Sequence, residues 1–349
     1  MSSHTDLPYV SIIVPCRNEE KGIVKCLDSI ISGDYPKTRI EVFIIDGMSE
    51  DGTREIIGGY ARQYEFIMLL DNPRKTAPAA LNIGIRKARG ALIMRMDAHT
   101  VYEKDYISKC VRYLTEWNVD NVGGVCDTLP GAKTTLAGAI ALALSHPFGV
   151  GNSYFRIGAK EPRFVDTVPF GCYRREIFEK IGFFDEDLTR NQDDEFNLRL
   201  IRNGGKILLA PDIISYYYAR DTLDKLWKMY YQYGYFKPLV LQKIRAVLTF
   251  RQLIPPLFVA GLIIFFLSAL LLKPFRPLLV SSLALYSAVN LTSSLLIASR
   301  RGLKYMPFLP IVFSTLHAGY GLGYLKGLWD FVILRRNREG KTGAVPLTR

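Results

Sequence analysis

The stretch Val10–Glu20, VSIIVPCRNEE, decides the fold. A run of β-branched residues stops on Pro15 and gives way at once to charge, which reads as a strand buried on both faces and ending at its carboxyl terminus. Working outward, a helix is predicted from about Glu19 to Ser32, followed by a second strand, EVFIID (Glu41–Asp46). GMSEDGT (Gly47–Thr53) is turn chemistry, and REIIGGYARQY (Arg54–Tyr64) has helical spacing. FIMLLD (Phe66–Asp71) reads as a third strand, ALNIGIRKA (Ala80–Ala88) as a helix with Gly90 just beyond it, and ALIMRMD (Ala91–Asp97) as a fourth strand. Short apolar runs alternating with amphipathic stretches give an α/β chain, a Rossmann-like and mostly parallel sheet. In such sheets ligands bind beyond the carboxyl ends of the strands. Pro15, Asp46, Asp71 and Asp97 all fall there.

The rest of the chain sets bounds on this core. At 349 residues it has room for one large domain plus an attached hydrophobic region. The net charge of +12 gathers around apolar segments, which fits anionic headgroups and argues against a nucleic-acid partner. Five Cys without CxxC or zinc-like spacing read as reduced, buried thiols. The stretch from Val10 is too short, and too soon broken by Pro15, for a signal peptide, so the N-terminal region is expected on the cytosolic side. Asp221–Lys237 places Leu, Trp and Tyr at helical spacing among lysines, which suits either an interfacial helix or a packing helix. Apolar segments follow at 253–272, 278–298 and 306–334. The first two are expected to span a bilayer. The third, interrupted by Lys326 and Asp330, reads as one span plus an interfacial helix or as a re-entrant hairpin. Thr134–Gly149 is apolar but short. The domain expectation is therefore 1–236 catalytic and 237–349 membrane region. RRGLK (Arg300–Lys304) falls inside, whereas three simple spans would put the basic tail RRNREGK (Arg335–Lys341) outside.

VSIIVPCRNEE, FIIDGMSEDGT, NPRKTAPAALNIGIRKARG, MDAHT and NQDDEFNLRLIRNGG, in that order, resemble the family 2 glycosyltransferases with the GT-A fold, over essentially the whole soluble half. HPFGVGNSYFR (His146–Arg156), VPFGCYRREIFEKIG (Val168–Gly182) and the membrane tail resemble the succinoglycan-biosynthesis glucosyltransferase type within it. The resemblance implies transfer of a hexose, glucose in that type, from a nucleotide-diphospho-sugar such as a UDP-sugar. The implied acceptor is a lipid-linked saccharide in exopolysaccharide or cell-surface glycan synthesis. The implied location is a multi-pass inner cell membrane with a cytosolic catalytic domain, beside other polysaccharide-assembly proteins. A relative using polyprenyl phosphate as acceptor shares these features. A non-catalytic scaffold or export component is the reading from another class.

Individual residues carry the chemistry expected of such an enzyme. A departing diphosphate needs countercharge, and a divalent cation held by carboxylate, imidazole and phosphate oxygens supplies it. Asp97 and His99, at i and i+2 of an extended segment, point the same way and are the candidate metal ligands. The family's second Asp is His99 here, which moves the expectation from Mg²⁺ toward Mn²⁺. By resemblance Asp46 accepts from the uracil imide, and Pro15, Arg17, Glu19, Ser49 and Asp97 line the nucleotide pocket. The plain alternative for Asp46, Ser49 and Asp51 is turn formation. Asp193 and Asp194 open a helix with Phe196, Leu200 and Ile201 as its expected buried face, and a Gly pair stops it. A carboxylate at a helix N-terminus stays ionised and can take the proton of an attacking hydroxyl. Counting back from Arg199, as the resemblance implies, selects Asp193, with Asp194 as rival. One base and no covalent nucleophile imply inversion at the anomeric carbon. Arg174 and Arg175 are expected near acceptor or phosphates. Gln232 lacks the Arg and Trp of a processive QxxRW signature. PCRNEE in place of GxGxxG argues against a dinucleotide oxidoreductase.

Overall fold

The computed structural model describes residues 7–244 and 250–335. They form two compact units, one of residues up to Asp127 with Gly158–Tyr217, the other of Thr128–Ile157 with the residues from Tyr218 onward. The tail residues Arg336–Lys341 lie outside the described residues.

The first unit is built on one nine-stranded sheet. Its strands are β1 (Val10–Cys16), β2 (Ile40–Asp46), β3 (Ile67–Asp71), β4 (Leu92–Arg95), β5 (Thr100–Tyr102), β6 (Asn121–Leu129), β7 (Arg163–Phe164), β8 (Cys172–Arg174) and β9 (Ile207–Tyr218). The order is β3-β2-β1-β4-β8-β6-β9-β5, with β7 on β9. The first four strands are parallel, as the alternating pattern predicts, joined by helices Ile23–Ile31, Thr53–Gln63 and Ala77–Lys87. From β8 onward the pairings are antiparallel. Every residue of β2 is buried, as expected of a strand covered on both faces.

The chain runs outward from β1 to β2 and β3, then returns to place β4 on the other side of β1. That reversal makes a switch point between β1 and β4, the place where sheets of this kind bind their ligands. The β1–β4 ladder stops at Ile13↔Arg95, while β1–β2 continues to Cys16↔Asp46. Pro15 is tolerated in this central strand because no β4 partner needs its missing N–H.

The helix Gln192–Arg202 buries Gln192, Glu195, Phe196, Asn197 and Leu200. Ile201, expected on that face, is exposed, because it lies about 100° around the helix from Leu200. The helix ends on Gly204 in the left-handed region (φ 82°), as the Gly pair implies. All five Cys are free and buried.

The second unit is helical. Phe250–Leu271 and Phe275–Arg301 are long and apolar enough to cross a membrane. Their apolar side chains face outward, Leu271 being 85% and Leu285 69% exposed. Two of their polar side chains turn inward: the Asn290 amide donates to Pro310 O (3.0 Å), and the Tyr286 hydroxyl meets His317 Nδ1 (3.0 Å). Apolar outside with polar glue inside is the arrangement a bilayer selects.

The aromatic helix is Leu223–Ile244, and it packs against Leu309–Gly327. Gly319, Gly323 and Gly327 fall one turn apart and allow backbone contact. A Cβ at Gly323 would stand 2.1 Å from the Tyr231 carbonyl oxygen, and one at Gly327 2.1 Å from that of Tyr235. A π-helical turn, Leu328–Ile333, closes the third apolar stretch, and its buried Asp330 accepts from Tyr235 (3.0 Å) and Lys326 (2.7 Å). The short apolar helix Thr135–Leu144 belongs to this unit, with Gly138 beneath the Tyr305 ring. Gly323→Val is expected to destabilise this unit by roughly 3 kcal/mol or more, since the helices must separate. Gly261→Ala, with nothing within 4 Å, is the control, expected to gain up to ~1 kcal/mol. Thermal unfolding in detergent reads both, and equal melting temperatures would contradict the close packing.

Candidate active site

Loops beyond β1 and β2 are stitched together before any ligand is considered. Gly47 N–H donates to Cys16 O (2.8 Å), Asn18 N–H to Ser49 Oγ (2.7 Å), Glu50 N–H to Asn18 Oδ1 (2.8 Å) and Glu19 N–H to Thr53 Oγ1 (2.7 Å). Asn18 takes the left-handed conformation (φ 50°), which Asn adopts at lower cost than most residues.

Asp46 is fully buried at the end of β2. It accepts from Ser49 N–H (2.9 Å), the Ser49 hydroxyl, Arg54 Nη1 (2.7 Å) and the Cys16 thiol (3.8 Å), and Arg54 also reaches Asp71 (2.8 Å). Burial alone would raise the Asp46 carboxyl, but the Ser49 bonds and Arg54 outweigh it and hold it below the usual range. The turn reading of Asp46, Ser49 and Asp51 is thus a structural fact, with Asp51 accepting from Thr53 N–H (3.1 Å). A base imide would reach Asp46 only in exchange for one of its present donors.

A second cluster forms where β4 meets the Gln192 helix. Arg95 and Asp97 lie two apart on an extended segment, and the guanidinium grips the carboxylate with both arms (Nε–Oδ1 3.0 Å, Nη2–Oδ2 3.2 Å). Its remaining nitrogen stands 3.7 Å from Asp193 Oδ2. Arg95 is 13% and Asp97 18% exposed, so solvent screens that pair little, whereas Asp193 at 38% is open to solvent. Burial would raise the Asp97 carboxyl, yet Arg95, with smaller help from His99 and Arg190, brings it below the ordinary carboxylate value. Asp97 N–H donates to the Tyr102 hydroxyl (2.7 Å), which fixes the turn. His99 Nδ1 stands 3.5 Å from Glu19 Oε1, and its ring meets Tyr217 edge-on. Gly22 lies close to the Ala98 and His99 backbone, where a Cβ would stand 3.3 Å from each.

The structure therefore joins Glu19 to His99, and Asp97 to Asp193 through Arg95. Asp46 and Ser49 form their own group with Arg54 and Asp71. The Asp193 carboxylate stands beside Arg95. Arg174 and Arg175 bond backbone oxygens instead: Arg174 those of Val119 (3.0 Å) and Leu114 (3.1 Å), Arg175 that of Ala88 (2.5 Å). Arg95 and Arg54 were absent from the sequence-based site. For Arg95 the signal was present, since it stands two residues before Asp97 on the extended run. The extended pairing expected of Asp97 and His99 does not hold, because residues 98–99 form a turn closed by Thr100 N–H on Asp97 O (3.1 Å), and His99 stands beside Glu19.

The helix that carries Asp193 is held by Arg199 and Asn197 and by the stack of Phe196 on Phe184 (ring centroids 4.5 Å), which Asn82 fixes. Asn82 donates to Phe184 O (2.9 Å) and accepts from Phe184 N–H (3.0 Å). Arg199 binds Glu195 (2.8 Å) and Phe183 O (2.8 Å), and Asn197 binds Asn121 (3.1 Å) and Thr167 (2.8 Å).

Comparison with known proteins shows the family. The family model for glycosyl transferase family 2 matches residues 11–182. A Methanococcus voltae dolichyl N-acetyl-α-D-glucosaminyl phosphate 3-β-D-2,3-diacetamido-2,3-dideoxy-β-D-glucuronosyltransferase is 31% identical over 92% of this chain and 97% of its own. The chain belongs to glycosyl transferase family 2. The succinoglycan biosynthesis protein ExoA of Rhizobium meliloti is 28% identical over 92% of this chain and 95% of its own. Among solved structures, mannosyltransferase PcManGT from Pyrobaculum calidifontis superposes with a TM-score of 0.59 at 22% identity, covering 94% of this chain and 89% of its own. This family 2 glycosyltransferase thus has the GT-A fold, and its C-terminal helices are long and apolar enough to span a membrane.

Proposed function

We propose that this glycosyltransferase inverts configuration while passing one hexose, glucose by resemblance, from a UDP-sugar to a lipid-linked saccharide in cell-surface glycan synthesis. The observation that carries the reading is Arg95 held between Asp97 and Asp193, which brings a donor-side and an acceptor-side carboxylate to one place. Support for the acceptor comes from relatives whose names specify a dolichyl-phosphate-linked sugar and succinoglycan biosynthesis. The outward-facing apolar helices support membrane association; a multi-pass inner-membrane location with the catalytic unit on the cytosolic side is part of this proposal.

Asp193 accepts the proton of the acceptor hydroxyl as that oxygen attacks the anomeric carbon, and the nucleoside diphosphate leaves from the opposite face. Among the described residues no group of three His, Cys, Asp or Glu converges to hold a metal. Asp97 and His99 are the two ligands this reading assigns, with the donor diphosphate supplying further oxygens to the cation. When bound, Mn²⁺ or Mg²⁺ supplies positive charge beside the departing diphosphate. Support for that cation is the mannosyltransferase neighbour, solved in complex with GDP-Man and Mn²⁺. Pro15, Arg17 and Glu19 line the nucleotide side, and Asp46 takes the base imide in exchange for the Ser49 hydroxyl.

A donor screen tests the reading. Purified full-length protein in detergent is offered UDP-, GDP- and dTDP-hexoses with Mn²⁺ or EDTA and a lipid-linked disaccharide. Transfer from a UDP-hexose, lost in EDTA, is expected. No transfer or hydrolysis of any nucleotide sugar would sink it.

A further inference from the structure

Resting on that reading, we infer that Arg95 is the site's own counter-cation. It is a positioning residue that fixes Asp97 relative to Asp193 and keeps the Asp97 carboxylate closed to a divalent cation until the donor diphosphate arrives.

The geometry carries this in three steps. First, Arg95 cannot drift. Its N–H donates to Gly171 O (3.0 Å), and the next residue, Met96, donates to Ile13 O (3.0 Å), so the strand holds it from both sides. A guanidinium has five donors in a planar fork and stays charged at any ordinary pH. Second, the charges balance only with it in place. Asp97 and Asp193 are two carboxylates near one buried guanidinium, with Arg190 as a further positive charge acting on Asp97. Removing Arg95 leaves two carboxylates to repel each other, Asp97 being largely shielded from solvent and Asp193 partly open to it. Third, the Asp97 oxygens are both engaged, and the backbone beneath them is tied to Tyr102. A cation approaching alone meets a neutralised carboxylate. A diphosphate gives Arg95 another anion to face, which loosens its hold on Asp97 and admits the cation at that moment.

This role separates two quantities that a purely structural residue would lower together. The experiment measures Mn²⁺ binding to full-length protein in detergent by electron paramagnetic resonance of free Mn²⁺, with and without UDP, alongside turnover of a UDP-hexose. In Arg95→Gln, affinity for Mn²⁺ without nucleotide is expected to rise about tenfold while turnover falls at least 30-fold. Arg95→Lys keeps the charge and loses the fork. Its nucleotide-free Mn²⁺ affinity is expected within about threefold of wild type, with turnover down at least tenfold. Unchanged or weaker Mn²⁺ binding in folded Arg95→Gln overturns the inference, as does wild-type turnover in Arg95→Lys. If wild type binds Mn²⁺ only with UDP but Arg95→Gln shows no gain, the inference falls and the donor reading stands. If Arg95→Gln gains a Mn²⁺ site but wild type binds neither Mn²⁺ with UDP nor any nucleotide sugar, the counter-cation stands and the donor reading falls.

Discussion

Asp193→Asn is expected to lower turnover by roughly 10³-fold or more while leaving UDP-sugar affinity within about threefold of wild type. The argument is one of place and charge. Asp193 lies in the first turn of an eleven-residue helix, where exposed backbone N–H groups favour its anionic form. The helix is held by Arg199, by Asn197 and by the stack of Phe196 on Phe184, so the carboxylate is aimed by the fold and not by its own rotamer alone. Asparagine keeps size and the partial negative charge of its oxygen, so donor binding and stability survive. It cannot accept a proton at neutral pH, so attack by the acceptor hydroxyl loses its base. Asp194→Asn is the comparison and should retain most activity, because the base is assigned to Asp193, whose carboxylate stands 3.7 Å from Arg95. Isothermal titration with UDP-sugar and steady-state transfer assays decide the matter. Equal losses in the two variants, or full activity in Asp193→Asn, would remove the assignment.

Asp97→Asn is expected to cost both activity and stability, in different proportions. Turnover should fall by about 10²–10³-fold, because the donor-side carboxylate no longer contributes to offsetting the departing diphosphate. Adding Mn²⁺ should not restore it. Stability should fall by about 2 kcal/mol, since the buried Arg95 loses its bidentate partner and retains only the longer contact to Asp193. The pH dependence gives the sign. The Asp97 carboxyl is held below its unfolded value, so its contribution is complete above the unfolded pKa of about 4 and is lost as pH falls through the folded value. Melting temperatures of wild type and variant should therefore differ at pH 7 and converge at strongly acid pH. A gap that stays constant across that range would show that the pair contributes nothing through charge.

Strand ends were the readable part of this protein. Pro15, Asp46, Asp71 and Asp97 each close an apolar run, and a break from apolar to polar is a local signal that survives without any knowledge of partners. Helix edges shifted by a few residues, as with Ile23–Ile31 against an expected start near Glu19, because helix termini depend on what packs against them. Ile201 was misplaced for a related reason: apolar character alone does not say which neighbouring position on a helix meets the core. The arginines were the least legible. Arg174 and Arg175 look available in sequence and are spent on carbonyl oxygens of Val119, Leu114 and Ala88, while Arg95 looks like a strand residue and turns out to hold two carboxylates.

By itself the sequence determined the α/β order, the crevice to which its strand ends point and the presence of helices with more apolar surface than a soluble unit can bury. These follow from patterns that repeat within a few residues. Tertiary structure alone decided that Arg95 bridges Asp97 to Asp193, 96 positions later, and that Gly319, Gly323 and Gly327 seat one helix against another. Such facts depend on distances between segments far apart in the chain, and a guanidinium's partner or a glycine's neighbour is set by which backbone arrives beside it, information that no local run of residues contains.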